Sequence, residues 1–295
     1  MAEEKPLKIV TTIFPIYDWV RQIIGEQDAD VTMLMDSGVD LHNFQPTAQD
    51  ILTIAQCDLF IFVGGESDEW TEDVLKTAQN ESMTAINLLD ALGDDVKEEE
   101  IVEGMEAEEE EGEEEEAESD EHVWLSLRNA EKLVKVIAET LAEIDAEKAE
   151  PYRVNAESYI EKLQALDAQY AETVDAAAYK TILFGDRFPF RYLADDYGLT
   201  YYAAFAGCSA ETEASFQTIL FLAQKVDELG LPAVLTIENP KTRIAETVVN
   251  ATQKKNQKIL SLNSMQGVTA QEVKDGAAYL SLMESNLIVL RDALN

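Results

Sequence analysis

Basic residues are scarce in this chain. Its 295 residues carry 22 Lys and Arg against 59 Asp and Glu, a formal charge of −37. Phosphate backbones are held by clustered Lys and Arg, so nucleic acid is excluded as a partner. An anionic membrane surface is excluded for the same reason. No run of 18 apolar residues occurs, so no segment reads as a bilayer-spanning helix. Two Cys and two His rule out a zinc-finger array or a disulfide scaffold. The opening MAEEKPLKIV lacks the charged and apolar regions of an export signal. There is no G-x-S-x-G, no phosphate-binding P-loop and no G-x-G-x-x-G, and Gly64-Gly65 reads as a turn.

What is present is enough apolar material for a core: 46% of residues are hydrophobic. The chain therefore cannot be a disordered acidic tail, and its length suits two ordinary domains. Short apolar runs alternate with amphipathic stretches. Lys8–Ile13, Val31–Met35 and Leu59–Val63 read as strands, with helices over Phe14–Ile24 and Ala48–Ala55. The pattern returns later, with strands at Thr181–Phe184, Thr200–Phe205, Ala233–Ile237 and Ile259–Leu262. Helices are read there at Phe190–Tyr197, Ser215–Leu229, Ile244–Thr252 and Ala277–Leu294. Such alternation predicts an α/β fold of two lobes, each a mainly parallel sheet flanked by helices. From Ser126 to Val174 glycine is missing and Pro151 is the one proline. Apolar residues recur there at helical spacing, predicting two helices, the second starting at Pro151 and joining the lobes as a stiff rod. The expected boundaries are an N-terminal lobe over 1–125, linking helices over 126–178 and a C-terminal lobe over 179–295.

Asp94–Glu121 holds 18 acidic residues and one Lys in 28 positions. Charge this dense repels itself and resists burial, so a disordered loop is expected. It would serve either as a loose collector of divalent cations or as a solvated spacer. Of the cysteines, Cys57 reads as core. Cys208 reads either as a small buried hydrophobe or as a thiolate ligand. Sequence leaves open whether the two pair.

His42 and His122 are the only histidines. Each lies in a predicted loop beside carboxylates and before a helix, a place where binding residues concentrate. Neutral imidazole is a common ligand for zinc-like metals, but two histidines alone do not close a site. Around them the sequence resembles the zinc/manganese substrate-binding proteins of metal ABC importers, the class with a rigid linking helix. The resemblance rests on Ile9–Pro15, His42–Pro46, Glu121–Leu125, Phe190–Leu199 and Tyr279–Leu287, in that order along the chain. It implies two lobes with a metal held in the cleft between them. It also implies a monomeric exported protein, periplasmic or anchored as a lipoprotein, that serves an ABC permease. The acidic segment stands where zinc members of this family often carry a His-rich loop.

One position departs from the family pattern. Its third ligand, a His or Glu, aligns with Arg187, and a guanidinium has no lone pair to give. Cys208, after a strand of the second lobe, Glu238, at a family acidic position, and Asp186, next to the replaced ligand, are the candidates to replace it. Asp186 or Glu238 would pair with the Arg187 charge. The expected ligand set is thus His42 and His122 from the first lobe with Cys208 and Glu238 from the second. Such donors favour Zn2+ over Mn2+. Capture for transport, not enzymatic turnover, is the leading reading. The alternatives are a diverged cleft that takes an anion or a metal chelate, and a metallohydrolase with a two-His–carboxylate site.

Overall fold

The computed structural model describes residues 6–106, 118–207, 213–238, 240 and 243–295. Two compact units emerge from the chain's own contacts. The first comprises Met1–Val96, Leu127–Ala165 and Met265–Leu280; the second comprises Lys97–Ser126, Leu166–Ser264 and Ser281–Asn295.

In the first unit, β1 (Leu7–Thr11), β2 (Ala29–Met33), β3 (Leu59–Phe62) and β4 (Thr84–Asn87) form a parallel sheet in the order β2-β1-β3-β4. The connections are helical: α1 (Phe14–Ile24), α2 (Ala48–Ala55) and α3 (Trp70–Lys76), with α4 (Leu88–Leu92) following β4. Proline in the first turn of α1 uses a position where its missing N–H costs nothing. Thr47 starts α2 through a reciprocal capping box with Asp50. Val10, Ile54, Phe60, Phe62 and Val74 pack one face of the sheet, with Phe44 and Trp70 against them.

Helix α5 (Leu127–Ile144) buries Leu133, Ile137 and Leu141, spaced by four, as the periodicity predicts. Helix α6 runs over Ala149–Ala176, 28 residues, which is about 42 Å at the usual rise. It starts before Pro151, because a proline within the first turn interrupts no hydrogen bond. Asp18 on α1 gathers distant chain inside the unit. Its Oδ2 accepts the backbone N–H of Tyr279 at 3.1 Å and the Tyr159 hydroxyl at 3.5 Å. Burial pushes the Asp18 carboxyl up from the ordinary carboxylate range.

In the second unit, β5 (Thr181–Phe188), β6 (Thr200–Ala206), β7 (Ala233–Ile237) and β8 (Lys258–Leu262) form a parallel sheet in the order β6-β5-β7-β8. Its helices are α7 (Arg191–Tyr197), α8 (Phe216–Leu229) and α9 (Ile244–Ala251). The short α10 (Ala270–Lys274) belongs to the first unit, and α11 (Tyr279–Ala293) ends the chain. Leu183, Phe205, Leu222, Val226, Val234 and Val248 make the core of the second unit. At Gly185 a β-carbon would lie 2.5 Å from the Ala245 Cα, so glycine is what lets α9 seat directly on β5. Tyr170 of α6 donates to the Met283 carbonyl of α11 at 2.6 Å, and Tyr197 donates to Asp167 at 2.8 Å.

The alternation therefore yields the expected α/β architecture of two parallel sheets and a long helix. Two expectations change. Residues 97–126 group with the second unit, not with the N-terminal lobe, and they carry His122 with them. The acidic segment is also not simply a disordered loop. Residues 107–117 lie outside the described residues, but its flanks are structured. Glu98 and Ser119 form an antiparallel bridge, and Glu106 bridges Phe205 beside β6. The reason is that the carboxylates find partners. Tyr201 donates to Glu100 at 2.8 Å, and Thr218 donates to Glu106 at 2.7 Å. Lys225 lies 3.8 Å from Glu103, while Arg191 donates to the Glu98 carbonyl. Among the described residues no helix is long and apolar enough to cross a membrane.

Candidate metal centre

His42 sits in a 3-10 turn, Leu41–Asn43, that follows β2. The Asp40 carboxylate accepts the His42 backbone N–H at 3.2 Å and so starts the turn. The ring Nδ1 meets the Ser67 Oγ at 2.7 Å. Ser67 lies in a second 3-10 turn, Glu66–Asp68, reached from β3 through Gly64 and Gly65. Both glycines have positive φ, 93° and 78°, which other residues rarely adopt. The buried Asp68 pins this turn, its Oδ2 accepting the Val63 and Gly64 N–H groups at 2.9 and 3.1 Å. Burial drives the Asp68 pKa up to about 6.

His122 is fully buried and precedes the 3-10 turn Val123–Leu125. Asp120 Oδ1 accepts both the His122 backbone N–H and its ring Nδ1, each at 2.9 Å. Hydrogen bonds within the second unit tether the surrounding loop. The Asp120 N–H donates to the Lys97 carbonyl at 2.8 Å. Tyr192 donates to the Asp120 carbonyl at 2.8 Å. Ser126 donates to Asp196 at 2.6 Å, and Trp124 Nε1–H donates to the Ser264 carbonyl at 2.8 Å. Gly207 approaches from β6, where a β-carbon would stand 3.0 Å from the His122 Cε1 and 2.9 Å from the Phe188 carbonyl oxygen.

The other expected site residues fall in different settings. Glu238 follows β7, as expected, and clasps Ser264: its Oε2 accepts the Ser264 N–H at 2.7 Å and its Oε1 accepts the hydroxyl at 2.8 Å. Since Ser264 also receives Trp124, this carboxylate buttresses the His122 loop. Asp186 takes the N–H groups of Arg187 at 2.9 Å and Ile237 at 3.3 Å, which ties β5 to β7. Burial raises its pKa, and the two amides and the Arg187 charge work against that rise. Arg187 is half-buried on β5 opposite Phe205. Cys208 lies outside the described residues. Cys57 is a free buried thiol with a pKa pushed up to about 12 by burial, a core residue as expected. Among the described residues no group of three or more His, Cys, Asp and Glu side chains is arranged to hold a metal ion.

Ser67, Asp120, Tyr192 and Ser264 escape a reading of the sequence. Only the repeated Asp-x-His spacing, Asp40–His42 and Asp120–His122, carried a signal for part of this arrangement.

Two four-stranded parallel sheets and a 28-residue helix define an α/β architecture, and comparison with known proteins makes it specific. The chain belongs to the family described as zinc-uptake complex component A, periplasmic, whose sequence model matches residues 9–293. It is 32% identical over 297 residues to the zinc-binding protein AdcA of Streptococcus pyogenes. That match covers 99% of this chain and 56% of the relative, so the chain spans just over half of that protein. Among solved structures it is similar to the Zn(II)-bound ZnuA-like domain of Streptococcus pneumoniae AdcA. The TM-score there is 0.77 at 31% identity, covering 98% of this chain and 99% of that one. It is also similar to the metal-dependent lipoprotein YcdH of Bacillus subtilis, with a TM-score of 0.79 at 30% identity and coverage of 98% and 99%.

Proposed function

We propose that this chain captures a zinc ion outside the cytoplasm and delivers it to an ABC permease, with His42 and His122 as imidazole ligands. The observation that carries this reading is common to both rings: each is held at Nδ1 by a nearby oxygen. A ring held this way keeps its tautomer and orientation, and the lone pair at Nε2 is the one offered to a metal. A carboxylate oxygen behind the ring also fixes its orientation, which is the role of Asp120. Cys208 is the third donor in this proposal. A thiolate beside imidazoles selects zinc over manganese, which prefers oxygen. Glu238, with both oxygens on Ser264, is assigned to support of the His122 loop and not to the ion. The family description and the similarity to a lipoprotein support an extracytoplasmic, membrane-anchored or periplasmic setting. A monomer and a role in capture without catalysis complete the reading.

Zinc affinity of the purified protein, measured by competition with a chromophoric chelator, tests this. The His42→Ala, His122→Ala double variant should lose at least about 100-fold in affinity, and Cys208→Ser should lose part of that. Unchanged affinity in the double variant would remove the assignment.

A second reading has its own support. Arg187 stands where the family resemblance places a ligand, and its fixed positive charge suits a cleft that takes an anion or a metal chelate. Native mass spectrometry of the same zinc-loaded sample separates the two, because a 1:1 zinc adduct belongs only to the first.

A further inference from the structure

We infer that Tyr192 is a positioning residue for His122: its hydroxyl is inserted into the backbone ladder at Asp120 and holds that aspartate where its carboxylate meets the ring. The inference rests on the zinc-capture reading above. The acidic segment leaves the second unit and returns to it as two short antiparallel arms. Glu98 bridges Ser119, and the Glu99 N–H donates to the Glu118 carbonyl at 2.7 Å. One step closer to His122, Lys97 faces Asp120. A pair at this place in an antiparallel ladder normally exchanges two direct N–H···O bonds. Here one is direct, from the Asp120 N–H to the Lys97 carbonyl at 2.8 Å. The other is relayed: the Lys97 N–H donates to the Tyr192 hydroxyl at 3.0 Å, and that hydroxyl donates to the Asp120 carbonyl at 2.8 Å. The direction of the relay is fixed, because a backbone amide can only donate and a carbonyl can only accept.

Tyr192 stands, buried, in the first turn of α7. Its neighbours on that helix hold the same arms. Arg191 donates to the Glu98 carbonyl, and the Asp195 carboxylate pairs with the Lys97 Nζ at 2.9 Å. Asp196 takes the Ser126 hydroxyl at 2.6 Å, beyond His122 along the chain. The inserted hydroxyl oxygen spreads the two backbones at the residue where their spacing matters most. That residue, Asp120, also turns its carboxylate to the His122 N–H and Nδ1, each at 2.9 Å. Without the hydroxyl, the Lys97 N–H and the Asp120 carbonyl can close directly on each other. No buried backbone group is then orphaned, so the fold holds, but Asp120 moves and its carboxylate leaves the ring. The outer partner of a ligand histidine is worth about 10- to 100-fold in metal affinity in comparable sites.

Tyr192→Phe deletes the hydroxyl and keeps the ring. Crystal structures of the metal-free wild type and variant read the geometry without any zinc. The wild type should show the hydroxyl between Lys97 and Asp120. The variant should show a direct bond from the Lys97 N–H to the Asp120 carbonyl and a carboxylate displaced from the His122 Nδ1. Zinc affinity by chelator competition should fall about 10- to 100-fold in Tyr192→Phe. That loss should vanish when Asp120 is already replaced by Ala, because the tyrosine acts through the aspartate. A variant whose carboxylate keeps its place at the ring overturns the inference. So does an unchanged zinc affinity, or an equal loss in the Asp120→Ala background, which a merely structural tyrosine would give. If the wild type binds no zinc, zinc capture fails, while the two metal-free structures still decide the role of Tyr192.

Discussion

His42 and His122 each follow an aspartate by two residues, and in both cases that aspartate accepts the histidine's backbone N–H. Beyond the shared turn the two loops diverge. The His122 ring is fully buried against a carboxylate that is itself only 2% exposed, in a loop tethered by Tyr192, Trp124 and Ser126. The His42 ring is half-buried, and its oxygen partner comes from another loop, a neutral hydroxyl. A buried imidazole–carboxylate pair is part of the core, so its loss is felt by the fold. A half-exposed ring on a hydroxyl can be lost or rearranged with little cost to folding. The comparison thus separates a histidine that the structure depends on from one that the structure merely aims.

The largest effect should come from breaking this contrast directly. His122→Ala leaves the Asp120 carboxylate buried without its ring partner and opens a cavity beside Gly207. It should lower folding stability by about 3 kcal/mol. His42→Ala should lower it by about 1 kcal/mol or less, as expected for a half-exposed residue. Denaturant unfolding of the two metal-free single variants checks this, and equal losses would mean that the two loops are not different in kind.

A second contrast lies between the buried aspartates of the two loops. Asp120 is matched by the His122 ring, whereas Asp68 faces the backbone amides of Val63 and Gly64 and has its pKa raised to about 6 by burial. The sign of the linkage follows. The folded carboxyl holds its proton to a higher pH than the unfolded one, so between about pH 4 and pH 6 the folded state binds more protons. Asp68 therefore withdraws stability as pH rises through that window, at about 1.4 kcal/mol per unit. Asp68→Asn keeps an acceptor for the Val63 and Gly64 amides and cannot ionise. Relative to the variant, the wild type should lose about 2–3 kcal/mol between pH 4 and pH 7. A difference that stays flat with pH would show that Asp68 is not strained by its burial.

Much of this contrast was not legible in the sequence, for identifiable reasons. Most strands announced themselves as short continuous apolar runs, and the long helices through a periodicity that buries one face over many residues. Thr84–Asn87 did not, since it is four residues long with one buried side chain, that of Ile86. Both histidines could be singled out by their rarity and their loop setting. The oxygens behind them could not. Ser67 lies 25 residues from His42, and a lone serine after two glycines looks like any turn. The acidic segment misled because composition registers its charge and not its partners. Arg191, Thr218, Tyr201 and Lys225 lie roughly 90 to 120 positions further on and are recognisable as its anchors only once β6 and α8 are folded beside it.

The smallest effect should fall on Glu238, and it decides on which side of the ligand boundary that residue belongs. Its two oxygens are engaged by Ser264, and the Ser264 carbonyl in turn receives the Trp124 indole beside His122. Glu238→Gln retains a carbonyl oxygen for one of the two Ser264 donors and loses the other acceptor. If Glu238 acts only by holding Ser264, zinc affinity should fall less than about tenfold, the low end for residues that orient a ligand. A direct carboxylate ligand replaced by a neutral amide would instead cost far more, and Glu238→Asp would not rescue it. The chelator competition used for the histidine variants resolves these cases. A loss on the scale of His122→Ala would place the carboxylate on the ion, and the support of the Trp124 loop would then be secondary to that role.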